Sequence, residues 1–150
     1  MYITTPYLIL DHEMLTALCL AAKSGVYVRI ITPGIPDKKY VYWVTQSYYS
    51  VLMKAGVRIF EYSPGFIHAK MYVSDDKTAV VGSANMDYRS LYLHFENCCV
   101  FYGGRMVQDV HADLVRCMQV SHEVTWEDVK NVSLPKRAFR VLLRLFAPLL

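Results

Sequence analysis

The chain has 150 residues, 54% of them hydrophobic and 19% charged, a composition that supports one buried core and excludes a disordered or low-complexity polypeptide. Its net charge of +3 belongs to residues 134–150, where Lys136, Arg137, Arg140 and Arg144 stand with no acid, leaving 12 basic against 13 acidic residues in the remainder. The near-neutral body lacks the basic field of a non-specific nucleic-acid binder, and no run reaches the roughly 18 apolar residues of a membrane span. The first residues show no signal-peptide pattern. Cys19, Cys98, Cys99 and Cys117 form no CxxC pair and no ligand spacing, so reduced, mostly buried thiols are expected rather than zinc or disulfides.

In chain order, a short strand is predicted over Tyr2 to Thr4. A helix follows from Asp11 to Lys23, with Asp11 as N-cap and Gly25 just beyond its end. Val26 to Thr32 reads as a strand, the Pro33, Gly34 and Pro36 stretch as a loop, and Lys38 to Ala55 as a second helix closed by Gly56. Its aromatic run, Tyr40, Tyr42, Trp43, Tyr48 and Tyr49, reads mainly as helix packing. Val57 to Tyr62 is the next strand. This alternation implies parallel pairing through crossovers, and so an α/β fold with a mixed, mostly parallel sheet flanked by helices.

After Ser63-Pro64-Gly65, two strands are predicted, His68 to Ser74 and Thr78 to Val81, joined by an Asp75-Asp76-Lys77 turn. A polar loop, Gly82 to Ser90, leads to a strand from His94 to Tyr102 and an amphipathic helix from Arg105 to His122. Within the loop, Asp87 and Arg89 suit a structural ion pair. Residues 134–150 form a basic amphipathic tail, separate from a body of residues 1–133. Arg137, Arg140 and Arg144 share one helical face. Such a helix suits either an anionic membrane surface or docking on the body with a solvated arginine stripe.

Between Gly65 and Tyr102, polar and reactive side chains interrupt a hydrophobic strand pattern. His68 and Lys70, two apart in an extended segment, project to the same side. An imidazole beside an ammonium suits an anionic substrate. Ser83 and Asn85 follow an apolar strand in a small-residue loop whose hydroxyl, amide and backbone N–H groups can hold phosphate oxygens. No acidic cluster asks for a metal, and no cofactor motif is present.

The run His68-Ala69-Lys70, four residues, Asp75, six residues, Gly82-Ser83-Ala84-Asn85 resembles the HxKx4Dx6GSxN motif of the phospholipase D superfamily at all six fixed positions. The stretches TPYLI, GVYVRIITPGIPDKK, AGVRIFEYSPGFIHAK and VVGSANMDYRSLYLHFE are similar to the C-terminal half of bacterial cardiolipin synthases. The resemblance implies a phospholipase D-like fold and metal-free transfer of a phosphatidyl group between two phosphatidylglycerol molecules, through a phosphohistidine. By motif position it makes His68 the nucleophile or the acid. Lys70 and Asn85 would neutralise the phosphorane, and Ser83 would add a hydrogen bond. It makes Glu96 the carboxylate on the far nitrogen of the histidine, and gives Asp75 a loop-ordering place. His94 would be a neighbour of the site.

The family's site is built from two such motifs, and this chain carries one, since no other histidine has a lysine two residues later. The partner expected is therefore a second motif-bearing half, from a preceding segment or from another copy. A peripheral place at the bacterial cell membrane is implied, with phosphatidylglycerol as substrate and no nucleic acid. The alternatives are a homodimeric phosphodiesterase or nuclease of the superfamily, and a catalytically silent fragment.

Overall fold

The computed structural model describes residues 1–149. Seven strands form one sheet: β1 (Tyr2–Thr4), β2 (Arg29–Pro33), β3 (Arg58–Tyr62), β4 (Met71–Ser74), β5 (Thr78–Gly82), β6 (Cys98–Tyr102) and β7 (Ser121–Glu123), in the order β6-β5-β4-β1-β2-β3-β7. The helices are α1 (His12–Lys23), α2 (Lys39–Ala55), α3 (Gly104–Gln119), α4 (Trp126–Lys130) and α5 (Leu134–Leu143). The α/β class and the mixed sheet agree with the sequence reading. The balance of pairings does not: β1–β2 and β2–β3 are parallel, whereas the other four pairs are antiparallel. Strand-helix-strand order fixes the first three strands as parallel neighbours, but everything after β3 joins by hairpins or at an edge.

Alternation along the strands divides the core between the two faces of the sheet. Ile30 of β2 and Ile59 of β3 pack with Leu18 of α1 and Val44, Tyr48 and Leu52 of α2. Their neighbours Ile31 and Phe60 point the other way, to Val107 and Leu114 of α3. Each such fully buried side chain contributes about 2 kcal/mol of transfer free energy. Asp11 caps α1 as expected, its carboxylate accepting from the Met14 N–H at 2.7 Å. Gly56 ends α2 at φ 101°, where its N–H reaches the Leu52 and Met53 carbonyls. Tyr48 and Tyr49 are buried, the former donating to the Leu10 carbonyl, as a packing role for the aromatic run requires.

Several expected boundaries move for reasons of pairing. Val26 to Val28 stay outside β2, because the β1 ladder begins at Tyr2 opposite Arg29. The predicted His94–Tyr102 strand is only Cys98–Tyr102, since β5 offers partners only as far as Gly82 opposite Cys98. Arg89–Leu93 winds instead into a π-helical turn. Helix α3 stops at Gln119, and Ser121–Glu123 pairs antiparallel with the free edge of β3, a strand the helical periodicity concealed. Nor are the cysteines mostly buried: Cys98 and Cys99 are exposed on the edge strand, and Cys19 and Cys117 are half-buried. All four are free thiols.

Helix α5 lies against α2; of its arginine face, Arg140 and Arg144 are half-buried against the body, while Arg137 is exposed and reaches back to the α4 backbone. Arg137 donates to the Val129 carbonyl at 2.8 Å, and the Arg144 guanidinium sits 4.2 Å from the centre of the Tyr48 ring. Among the described residues, no helix is long and apolar enough to cross a membrane.

Two consequences are testable. A Cβ on Gly82 would lie 2.3 Å from the Asn97 carbonyl oxygen and 2.6 Å from the Cys98 Cα, so Gly82→Ala must push β6 off β5. A loss of about 2 kcal/mol in denaturant unfolding is expected, as for an overpacked site. The second concerns the β7 edge, where Arg58 holds Glu123 through two bonds of 2.7 Å, and those bonds lower the Glu123 carboxyl below its ordinary value. A depressed folded value means that the pair stabilises above the unfolded pKa of about 4.3 and that the stabilisation is lost as pH falls through the native value. The groups are half-exposed, so the effect is at most about 1 kcal/mol. Hydrogen exchange at the β7 amides should accelerate across that acid window, and not in Glu123→Gln.

Candidate active site

The spacing of the HxKx4Dx6GSxN run is the length of a hairpin. Strand β4 leaves Lys70, the chain turns at Asp75-Asp76, and β5 returns to Gly82, so both ends of the motif meet at one end of the β4–β5 pair. The Gly82 N–H donates to the Lys70 carbonyl at 3.2 Å and closes that end. His68 and Lys70 precede β4 in an extended segment without ladder partners, not inside a strand as expected. They nonetheless meet. The Lys70 Nζ lies 3.0 Å from His68 Nδ1 and 3.1 Å from Nε2, and donates to the His68 carbonyl at 2.7 Å.

Lys70 is buried, only 7% exposed, while His68 is open to solvent. Burial pushes the Lys70 ammonium below its ordinary pKa, against the opposing pull of Glu96 and Asp87. An anionic phosphate at His68 would supply the counter-charge that this buried cation lacks. Two aromatic rings bracket the imidazole: Phe66 with its centre 5.5 Å away, and Tyr7 edge-on at 6.5 Å. The Tyr7 hydroxyl is anchored by Asp37 at 2.5 Å, and burial with that bond raises its pKa strongly.

The returning end supplies the polar loop. The Ser83 Oγ donates to Glu96 and accepts from the Asn97 N–H at 2.9 Å. The Asn85 N–H donates to the Ser90 Oγ at 3.0 Å, and the Asn85 Oδ1 is buried without a partner. The loop is fastened from outside: Tyr72 donates to the Ala84 carbonyl at 2.8 Å, the Met86 N–H to the Thr5 hydroxyl at 3.2 Å and the Ile9 N–H to the Met86 carbonyl at 2.9 Å. The TPY segment thus holds both ends of the site, the loop through Thr5 and the imidazole through Tyr7.

Asp75 takes the turn place expected of it, and two other expectations, for Glu96 and for the Asp87–Arg89 pair, are corrected by this geometry. Asp75 sits in the turn at the other end of the hairpin, separated from Lys70 by the four residues of β4, more than about 10 Å of extended chain. With φ of 52° and 53°, Asp75 and Asp76 make the double left-handed turn that suits the twist of a hairpin. Glu96, on a loop rather than a strand, accepts from the Ser83 hydroxyl, has the Ser90 hydroxyl nearby, and makes no hydrogen bond to His68. The two hydroxyls, with smaller contributions from His94 and Lys70, lower its pKa. The Asp87–Arg89 pair is not formed either. Asp87 is buried and accepts from the Ser90 N–H at 2.7 Å, capping the π-helical turn, while Arg89 is exposed.

His68, Lys70, Ser83, Asn85 and Glu96 are therefore gathered at one end of the hairpin, and Asp75 is not. Tyr7, Phe66 and Ser90 were not singled out by sequence reasoning. Tyr7 and Phe66 touch the site only through folding, and Ser90 carries no signal beyond its place after the motif. Among the described residues no group of three His, Cys, Asp or Glu side chains can hold a metal ion.

Comparison with known proteins places this geometry in a family. The model of the cardiolipin synthase, phospholipase D-like domain matches residues 1–118, and the chain belongs to that family. An uncharacterised protein of Streptococcus mutans is 46% identical over 149 residues, 99% of this chain and 32% of its own. Cardiolipin synthase 1 of Bacillus anthracis is 42% identical over 149 residues, 99% of this chain and 29% of its own. The chain thus spans about a third of the length of the curated relatives it matches. Two solved structures share the fold. Phosphatidylserine synthase of Haemophilus influenzae has a TM-score of 0.72 at 16% identity, over 99% of this chain and 41% of its own. The phospholipase D family member Nuc of Salmonella typhimurium has a TM-score of 0.68 at 18% identity, over 81% and 79%.

Ser90, buried at 8% exposure, accepts from the Asn85 backbone N–H, and its hydroxyl helps to lower the Glu96 pKa. Ser90→Ala leaves the Asn85 N–H without an acceptor, so a stability loss of about 1–2 kcal/mol is expected. Carboxyl-detected NMR titration should show the Glu96 pKa rising toward its ordinary value, whereas truncation of the exposed Arg89 leaves it in place.

Proposed function

We propose that this chain supplies one of the two motifs of a phosphatidyltransferase that makes cardiolipin and glycerol from two phosphatidylglycerol molecules. The observation that carries the reading is an exposed imidazole 3.0 Å from a buried lysine Nζ, at the same hairpin end as the Ser83–Asn85 loop. The Lys70 ammonium beside the ring places a fixed positive charge where the phosphoryl oxygens of a substrate attacked by the imidazole would lie.

The atoms balance without a metal. A histidine nitrogen attacks the phosphodiester phosphorus, the bond to the glycerol oxygen breaks, and the second histidine gives that oxygen its proton. The hydroxyl of a second phosphatidylglycerol then attacks the phosphohistidine. Its proton passes to the second histidine, the N–P bond breaks, and cardiolipin leaves. His68 takes one of the two histidine roles and the second motif's histidine the other. Lys70 and the Asn85 amide bear the phosphorane charge, Ser83 adds a hydrogen bond, and Glu96 holds Ser83 in place. Whether water or a lipid hydroxyl resolves the intermediate depends on water exclusion at the mouth.

The need for a second motif fits the open side of the molecule. Strand β6 is a sheet edge with exposed Val100 and Tyr102, and the adjoining turn exposes Leu91 and Leu93, a surface suited to a preceding half or a second copy. A membrane-surface location fits residues 134–149, where Leu134, Leu145 and Leu149 are each about three-quarters exposed.

The deciding experiment supplies purified chain at several concentrations to phosphatidylglycerol vesicles, alone and with a separately expressed preceding half of a cardiolipin synthase relative, and follows glycerol and cardiolipin. Expected is turnover that rises more steeply than linearly when the chain pairs with itself, or turnover restored by the added half. In the active arm His68→Ala should lower the rate by about 10⁴-fold, and Asp75→Asn should leave it near the wild-type value. Turnover undiminished in His68→Ala, or none in either arm, overturns the reading.

A further inference from the structure

At the opposite edge of the sheet from β5 and β6, a groove of about 1110 Å³ opens between α2, β7, α4 and α5. Its volume lies just above the roughly 300–1,000 Å³ typical of small-molecule sites. None of His68, Lys70, Ser83, Asn85 or Glu96 lines it. Its walls are apolar, from Val51 of α2 through Trp126 and Val129 of α4 to Val141 and Leu145 of the tail.

The charge on these walls is uncompensated. Lys54, Lys130, Arg137, Arg140 and Arg144 face the groove, against Glu61 and Asp128. Both carboxylates are committed elsewhere: Glu61 accepts from Tyr42 at 2.9 Å, Tyr49 at 3.1 Å and Gln46 at 3.2 Å, and Asp128 is held by His122 and Thr125. Among the described residues none of the three arginines lies within 4 Å of a carboxylate oxygen. The Arg140 Nε and the Gln46 Oε1 are buried with no hydrogen-bond partner, and burial pushes the Arg140 pKa down. A buried donor on a cation without an acceptor is costly, and an incoming anion removes that cost.

The tail is mixed in what it exposes. Arg140 and Arg144 are half-buried, whereas Leu134, Val141 and Leu142 are more than half exposed. Two guanidinium groups thus lie beside exposed apolar side chains.

We propose that this groove is a second, non-catalytic lipid site that takes one anionic lipid, with its acyl chain along Val51, Val141 and Leu145 and its headgroup on Arg140 and Arg144. The occupant is argued from charge complementarity. The groove offers apolar length together with guanidinium groups that have no carboxylate partner, which an anionic amphiphile satisfies and a neutral lipid or a free phosphate satisfies only in part. The inference stands apart from the chemistry at His68.

The test uses oleoyl lysophosphatidic acid below its micellar concentration, titrated calorimetrically into the full chain. Saturable one-to-one binding is expected, unchanged in His68→Ala and about tenfold weaker in the double variant Arg140→Gln, Arg144→Gln. Circular dichroism shows whether that variant keeps its helices. Val51→Trp fills the groove from a partly exposed position on α2 without altering charge, and a similar loss is expected. Uncharged monoolein should bind about tenfold more weakly than the phosphate lipid. Absence of saturable binding, equal binding of monoolein, or binding lost in His68→Ala but kept in Val51→Trp overturns the proposal. Turnover on phosphatidylglycerol vesicles, measured separately, reports the fate of the catalytic reading.

Discussion

Between Lys70 and Gly82 the backbone closes on itself: the Gly82 N–H reaches the Lys70 carbonyl at 3.2 Å, and the β4–β5 ladder runs from that bond to the turn. Everything at the site depends on this closure. The residues before β4 and after β5 are distant in the chain and adjacent in space only because the hairpin has equal arms. Gly82 is part of the same constraint, for β6 comes so near that its side-chain position is occupied by the Asn97 carbonyl and Cys98. The six fixed positions thus mix two kinds of requirement. His68, Lys70, Ser83 and Asn85 place functional groups at one end, while Asp75 and Gly82 shape the hairpin that brings those groups together.

The electrostatic character of the site follows from unequal burial. Lys70 is held in the protein while His68 is presented to solvent, so the cation lies behind the imidazole. Glu96 and Asp87 keep the region from becoming strongly positive, yet neither forms an ion pair with Lys70. Asp87 caps the π-helical turn and Glu96 gathers two serine hydroxyls. Carboxylates that look in sequence like partners of nearby bases are instead spent on backbone and hydroxyl groups of the loop. The π-helical turn delivers the Ser90 hydroxyl to the Asn85 backbone N–H.

The two edges of the sheet differ. At the β6 edge an unpaired strand and exposed apolar residues adjoin the motif. At the β7 edge a strand too short to show in the hydropathy pattern closes the sheet, and α4 and α5 wall a basic, apolar groove. The arginine stripe of the tail was legible from its spacing of three and four. Its direction was not, since an amphipathic pattern specifies which residues share a face but not which face meets the protein.

The sequence by itself determined the α/β class, the capping by Asp11 and the hairpin spacing that gathers His68, Lys70, Ser83 and Asn85, because each rests on local periodicity or on a fixed spacing. The tertiary structure alone decided the antiparallel majority of the sheet, the short strand β7, the bracketing of His68 by Tyr7 and Phe66, the commitment of Glu96 to Ser83, and the half-buried seating of Arg140 and Arg144. Each of these is a contact between segments far apart in the chain. Its free energy depends on which partner occupies the adjoining space, and no local pattern encodes that.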